Sequence, residues 1–212
     1  MSQLEYLIAL ISIIVGLGLT DLARSFRDLV RPGRPVEWHW LPLAWAAIVF
    51  MLVVQLWWET FGALQKDLFA DAIAFLPYLL IFLVLYLACS FALPDPTWEA
   101  PTAPAWDAAS SDDVLDLEVF YFSASHRRSF FGMLMTLLIL GQIISLVFPL
   151  LLEGSPTSSL LQRGLNFGIN LVVAAVLASL IVTDRWWVHA IVTVFTFGGV
   201  TTTLIVGVSS LG

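Results

Sequence analysis

Residues 160–211 read LLQRGLNFGINLVVAAVLASLIVTDRWWVHAIVTVFTFGGVTTTLIVGVSSL, and their reading decides the fold. The stretch is apolar nearly throughout, with Arg163 close to its start and Asp184–Arg185 at its middle. As one helix it would run roughly 78 Å at about 1.5 Å per residue, against a bilayer hydrocarbon core of about 30 Å. Two spans, Leu160–Thr183 and Trp186–Leu211, joined by a tight hairpin at Asp184 and Arg185, satisfy both lengths. The second carries Thr193, Thr196, Thr201, Thr202 and Thr203, which a membrane helix tolerates because each hydroxyl can bond a carbonyl one turn back.

Working outward, four more stretches of about 20 apolar residues meet the requirement for a span: Leu4–Leu22, Leu41–Phe61, Ala72–Leu93 and Phe130–Leu152. Composition agrees. Hydrophobic residues make up 59% of the 212 and charged residues 12%, with mean hydropathy +0.92; a soluble domain carries about 25% charged residues. So little charge cannot coat a globule of this size, and lipid is expected to cover much of the surface. The expected fold is therefore all-α: a polytopic transmembrane bundle of six spanning helices in one domain, residues 1–212. No internal repeat relates its two halves, so an inverted-repeat transporter is not expected.

The net charge of −7 is unevenly placed, with acid concentrated between Asp95 and Glu118. No basic patch with interleaved aromatics occurs, so nucleic acid is not an expected partner. The lone Cys89 rules out an intramolecular disulfide and, inside an apolar run, reads as a core residue. The first five residues hold no cation and no Ala-x-Ala site follows the first apolar run, so that run reads as a retained span rather than a cleaved signal.

Orientation follows the arginines. The first loop holds Arg24, Arg27, Arg31 and Arg34, the third Arg127 and Arg128, and the fifth Arg185; Lys66 and Arg163 complete the nine basic residues on the other side. The arginine-rich side should face the cytoplasm, leaving both termini on the periplasmic side of a bacterial inner membrane. Trp38, Trp40, Trp45, Trp57, Trp58, Trp186 and Trp187 fall near span ends, as interfacial aromatics do. Residues 21–31 should continue the first helix into the headgroup zone until Pro32 and Pro35 stop it. After an extended, proline-rich segment (94–104), Ser111 or Asp112 should cap a second helix running to Arg128. Asp112, Asp113 and Asp116 suit its positive end and Arg127 and Arg128 its negative end, while Val114, Leu117, Phe120, Tyr121 and Phe122 lay it along the membrane surface.

Several local patterns occur together: Glu5-Tyr6, Gly16-Leu17-Gly18-Leu19-Thr20-Asp21, Trp40-Leu41-Pro42, Gln55-Leu56-Trp57-Trp58, Phe91-Ala92-Leu93-Pro94-Asp95, and Tyr121-Phe122 ahead of His126-Arg127-Arg128. Over roughly its first two thirds the chain thus resembles an uncharacterised family of small bacterial multi-pass inner-membrane proteins. The resemblance implies the membrane class and brings no activity, cofactor or catalytic residue.

Polar side chains within spans are costly, at roughly 2.5–3.5 kcal/mol for a mid-helix carboxylate, and so mark candidate sites. Glu5, Gln55, Glu59, Gln142, Asn166 and Asn170 gather toward the outer leaflet. Glu5, Ala9, Ser12, Gly16 and Thr20 share one helical stripe, as do Ile48, Met51, Gln55, Glu59 and Gly62. Facing inward, these would line a polar cavity open to the outside, where a carboxylate could exchange protons or hold a cation. Facing outward, the carboxylates would meet surface water while the amides bonded neighbouring helices.

His39, His126 and His189 should lie near the cytoplasmic interface. With an acid they could hold zinc, or in pairs haem, yet no H-x-x-x-H or H-E-x-x-H spacing is present and amphipathic anchoring explains them as well. No metal or other cofactor is therefore expected. His189 also starts a seam with Thr193, Thr196, Val200, Thr203, Gly207 and Ser210, a pattern suited to close helix packing or an oligomer contact. Enzyme signatures are missing: there is no G-x-S-x-G elbow and no Walker loop, and Ser123, Ser125 and His126 are merely adjacent. The leading expectation is a non-enzymatic accessory subunit or homo-oligomeric scaffold, with lipid and a membrane protein or second copy as partners. A small ion, proton or solute permeation protein comes second, and a redox or metal protein third.

Overall fold

The computed structural model describes residues 3–33, 35–64, 72–95, 98, 114–152 and 160–209. Seven α-helices are found among them: α1 (Gln3–Val30), α2 (Trp40–Leu64), α3 (Ala72–Phe91), α4 (Leu117–Phe122), α5 (Ala124–Leu152), α6 (Leu160–Val182) and α7 (Trp186–Ser209). The protein is an all-α helical bundle. Five helices contain stretches long and apolar enough to cross a membrane: Glu5–Val30, Trp40–Thr60, Ala124–Leu146, Gly164–Val182 and Trp186–Gly207. In α3, a 20-residue helix, the described side chains form an apolar stretch over Phe75–Phe91.

The decisive stretch folds as a hairpin. Residues 183–185 form the turn, and the Arg185 carbonyl accepts from the amides of Val188 and His189 at 3.1 and 3.4 Å, starting α7. At the other end of the chain α1 runs unbroken through the arginine-bearing segment to Val30, with Arg31 N–H still donating to the Arg27 carbonyl. Arg24 and Arg27 remain exposed there and flank Asp28, in surface pairs that contribute little to stability.

The expected surface helix is shorter than its apolar pattern suggested. Its proposed caps Ser111 and Asp112, and Asp113, lie outside the described residues, as do Arg34, Lys66 and most of segment 94–104. Asp116 instead caps α4, its carboxylate accepting from Glu118 and Val119 N–H at 2.7 and 3.1 Å. After six residues Ser123 takes an extended backbone, φ −61° and ψ 136°, and its hydroxyl accepts from His126 N–H at 3.3 Å. One serine therefore ends α4 and caps α5, as N-cap residues do. Leu117, Phe120 and Tyr121 face the core rather than a membrane surface. Arg127 and Arg128 then fall in the first turn of α5, the end of a helix dipole that disfavours cations, so Arg127 needs partners from elsewhere.

Two short strands, β1 (Val36–Glu37) and β2 (Leu115–Asp116), pair in parallel, Val36 opposite Leu115 and Glu37 opposite Asp116. They tie the connection after α1 to the one before α4. Arg127 in turn bonds the Thr183 carbonyl and Asp184 in the α6–α7 turn. The three connections that carry the arginines thus meet at one end of the bundle.

Within the bundle α3 packs on α1 and α5, α5 on α6, and α2 on α7, while α6 and α7 diverge from their turn and scarcely touch. The densest core lies at the arginine end. Trp45 meets the rings of Phe130 and Phe131 edge-on, with centroids 5.8 and 5.1 Å away, and His126 stacks on Phe130 at 5.3 Å. Trp45 is 1% exposed, so it is a core residue and not an interfacial anchor. Trp38, Trp40, Trp58, Trp186 and Trp187 are exposed near helix ends, as expected of interfacial aromatics.

Candidate functional site

The α2–α7 and α5–α6 pairs enclose a cavity of about 570 Å³, within the range of roughly 300–1,000 Å³ typical of ligand sites. Chain direction fixes its axis. Trp45, Leu134 and Leu177 line the end nearer the arginine cluster. Gln55, Gln142, Ser145, Asn166 and Asn170 line the far end, roughly 12–15 Å along the bundle at about 1.5 Å per helical residue. α6 and α7 separate, and on that side the lining residues Ile169 and Val172 are exposed; at the polar end Ser145 and Asn166 are exposed as well.

Four of the six candidate polar residues come together on this cavity: Gln55 from α2, Gln142 from α5, and Asn166 and Asn170 from α6. Asn170 Nδ2 donates to Gln142 Oε1 across the α5–α6 interface. Gln55 is held at both ends, its Nε2 donating to Glu59 Oε1 at 3.0 Å and its Oε1 accepting from the Thr203 hydroxyl at 3.1 Å. The two carboxylates are elsewhere. Glu59 is exposed beyond Gln55, and Glu5 is exposed on α1, which packs on α2 and α3 away from the cavity. A bundle can turn only one face of each helix inward; α2 turns Ile48, Leu52 and Gln55, and Glu59 falls past the cavity's edge.

The α7 seam also faces inward. His189 and Thr193 are buried, Thr196 and Val200 line the cavity, Thr203 bonds Gln55, and the Thr201 hydroxyl reaches Met51 Sδ at 3.6 Å. From His189 to Thr203 the seam packs within the molecule, chiefly against α2; Gly207, further along, is exposed. The opposite face, with Ile191, Val194 and Phe195, is exposed.

The histidines separate. His39 stays near the surface beside Trp40, their ring centroids 6.4 Å apart. His126 and His189 are buried on either side of Tyr121, at 5.8 and 5.3 Å between centroids, rather than anchoring at the interface. Among the described residues no group of three His, Cys, Asp or Glu side chains is gathered as a metal would need.

Sequence reasoning missed the hydrogen-bond network that His189 joins. Tyr121 hydroxyl and His189 Nδ1 are 3.0 Å apart, and His189 Nε2 lies 2.9 Å from the Thr183 carbonyl. A carbonyl only accepts, so Nε2 carries the imidazole proton, and Nδ1 accepts from the Tyr121 hydroxyl. Arg127, buried beside them, donates to the same Thr183 carbonyl and pairs with Asp184, while its Nε finds no acceptor. Burial pushes the Tyr121 phenol well above its usual 10.0, outweighing the nearby Trp45, Thr193 and Arg127 groups that favour its ionised form. The network joins α4, α5 and the α6–α7 turn beneath the cavity. The one sequence signal for it was Tyr121 in an apolar run just ahead of His126-Arg127, which a surface helix explained equally well.

No protein-family model, curated protein or solved structure matches the chain.

Proposed function

We propose that this is a multi-pass bacterial inner-membrane protein with both termini on the periplasmic side, and that it binds a small molecule in the cavity between α2–α7 and α5–α6 without transforming it. The observation that carries this reading is the convergence of four side-chain amides from three helices on one cavity of about 570 Å³. Amides orient a ligand by hydrogen bonds but supply neither a general acid nor a general base. Among the described residues no Asp, Glu, His, Lys or Arg lines the cavity, and Glu5 and Glu59 lie off it, so the geometry offers proton exchange or cation binding by those two carboxylates no support. Retention or passage of a neutral molecule keeps it.

Gly141 offers the direct test. It lines the cavity, and a side chain begun there meets nothing within 4 Å. Gly141→Leu should project a side chain into the cavity and obstruct it without disturbing α5. Mass spectrometry of molecules co-extracted with the wild-type protein should show a bound species that Gly141→Leu lacks. Identical extracts from the two proteins would place the working site elsewhere.

An accessory subunit or homo-oligomeric scaffold is the second reading. It is favoured by the exposed apolar faces of α6 and α7, including Leu171, Val182, Val194 and Phe195. Lipid covers such faces equally well, and a discrete heteromeric or dimeric mass after gentle extraction would decide for a protein partner.

A further inference from the structure

We infer that the cavity selects an uncharged amphiphile, a molecule with an apolar body and a neutral head that both donates and accepts hydrogen bonds, as a hydroxyl or primary amide does. The inference rests on the small-molecule reading above and names the chemistry of the occupant.

Three observations lead to it. The first is the residual hydrogen-bonding capacity of the polar end. The Gln142–Asn170 bond uses one donor and one acceptor, and among the described residues nothing else meets the Gln142 amide nitrogen or the Asn170 carbonyl. Were both amides turned end for end, the leftover pair would again be one amide nitrogen and one carbonyl. The vacant capacity is thus a donor beside an acceptor in either arrangement. A carboxylate, phosphate or quinone carbonyl satisfies only the donor, and a quaternary ammonium satisfies neither. A hydroxyl or primary amide satisfies both.

The second is charge. Among the described residues the lining holds no ionisable side chain, and the buried arginine of the network is engaged with Asp184 and the Thr183 carbonyl at the opposite end of the bundle. An ionic head drawn among these lining residues would give up water without meeting a counter-charge on them, Glu59 lying exposed beyond Gln55 and already accepting from it, which is strongly unfavourable. The third is access. The body of the cavity is apolar, with Ile48, Leu52, Leu138 and Val173 along it; it is open between two helices whose outer faces are apolar, while the exposed Ser145 and Asn166 bring its polar end to the surface. An occupant enters laterally, from the hydrocarbon layer, with its body already in lipid. That route suits an amphiphile better than a water-borne solute.

The test uses the full chain in nanodiscs of uncharged phosphatidylcholine and four probes of one chain length: a long-chain alcohol, primary amide, carboxylate and trimethylammonium. Native mass spectrometry or equilibrium dialysis reads the binding. The alcohol and the amide should bind saturably and at least tenfold more tightly than either ion. The double variant Gln142→Leu, Asn170→Leu should weaken the alcohol and the amide at least tenfold while both ions stay excluded, and Gly141→Leu should abolish saturable binding altogether. Equal affinity of the four probes for the wild-type protein, with Gly141→Leu still abolishing binding, would overturn the head-group inference and leave the cavity as a site. Unchanged binding in Gly141→Leu would overturn both. Alcohol binding without amide binding, or the reverse, would also overturn the inference, because it ties selection to a single chemical head rather than to the donor–acceptor pair. Circular dichroism melts within a few degrees of wild type establish that each variant is folded.

Discussion

Tyr121 is where a single atom has the largest calculable effect. It is fully buried, and its hydroxyl is the donor that His189 Nδ1 accepts from. Tyr121→Phe keeps the ring against Phe131 and Phe122 but leaves a buried ring nitrogen unsatisfied, which costs about 1–3 kcal/mol. Denaturant unfolding in a mixed micelle should show a loss of that size, and a change under about 0.3 kcal/mol would mean that water reaches Nδ1. The same burial sets a pH dependence. With the phenol's folded value raised above its unfolded 10.0, the neutral form is favoured by folding. Its contribution to stability is complete below pH 10.0 and is lost progressively above it. The wild-type minus Tyr121→Phe tyrosinate absorbance should therefore titrate above pH 10.0, and a difference centred on 10.0 would place the phenol in water. The histidines show why this site was hard to read in the chain. His39, His126 and His189 all sit near helix starts with an aromatic residue within four positions, and only packing separates the one near the surface from the two that are buried. The amides were more legible. A Gln or Asn within an apolar run must find partners, and Gln142 and Asn170 found each other, whereas Glu5 and Glu59, close to their helix ends, had water as an alternative.

Helix by helix, length and apolarity carried the information. Runs of about 20 apolar residues have few ways to satisfy their backbone outside a helix, and the observed bounds of α2, α3, α6 and α7 lie within three residues of the expected ones. The short α4 was not legible because its end depends on one dihedral choice at Ser123, and serine serves inside a helix as well as at its cap. Asp116 is the stronger signal, holding two amides of the first turn. Asp116→Ala should cost about 1 kcal/mol, read as earlier hydrogen exchange at Glu118 and Val119; unchanged protection there would show that β2 alone fixes the turn. The Gly16–Gly18 pair separates two roles that sequence could not. A Cβ at Gly18 would stand 3.4 Å from the Tyr86 backbone and 3.5 Å from Cys89 Sγ, while one at Gly16 meets nothing within 4 Å. Gly16→Leu should be neutral or stabilise by up to about 1 kcal/mol through helix propensity. Gly18→Leu should force α1 off α3 at about 1–3 kcal/mol, as overpacking does. Equal melting temperatures for the two variants would mean that α1 and α3 are not in close contact at Gly18.

For the whole molecule, the arginines and the cavity make one connected statement. Contacts between the connections after α1, before α5 and between α6 and α7 gather the arginine-bearing segments at one end, and the amide end of the cavity lies at the other. If positive charge holds that first end in the cytoplasm, the amides belong to the outer half of the membrane, and any lipid-borne ligand is taken from the outer leaflet. Single cysteines test both parts at once, because the native Cys89 is buried in the core and should stay silent. A thiol introduced by Ser2→Cys should react with an impermeant maleimide on intact spheroplasts, whereas Gly33→Cys, at an exposed position with open space around it, should react only after permeabilisation. The reverse pattern would invert the orientation and move the cavity's amide end to the inner leaflet. Labelling of both sites from the same side would break the expectation of six spans, which requires an odd number of crossings between residue 2 and residue 33. Position 33 is the informative one, since it follows a helix whose arginines are all at its far end, so that charge alone, without help from packing, must decide which way the first span points.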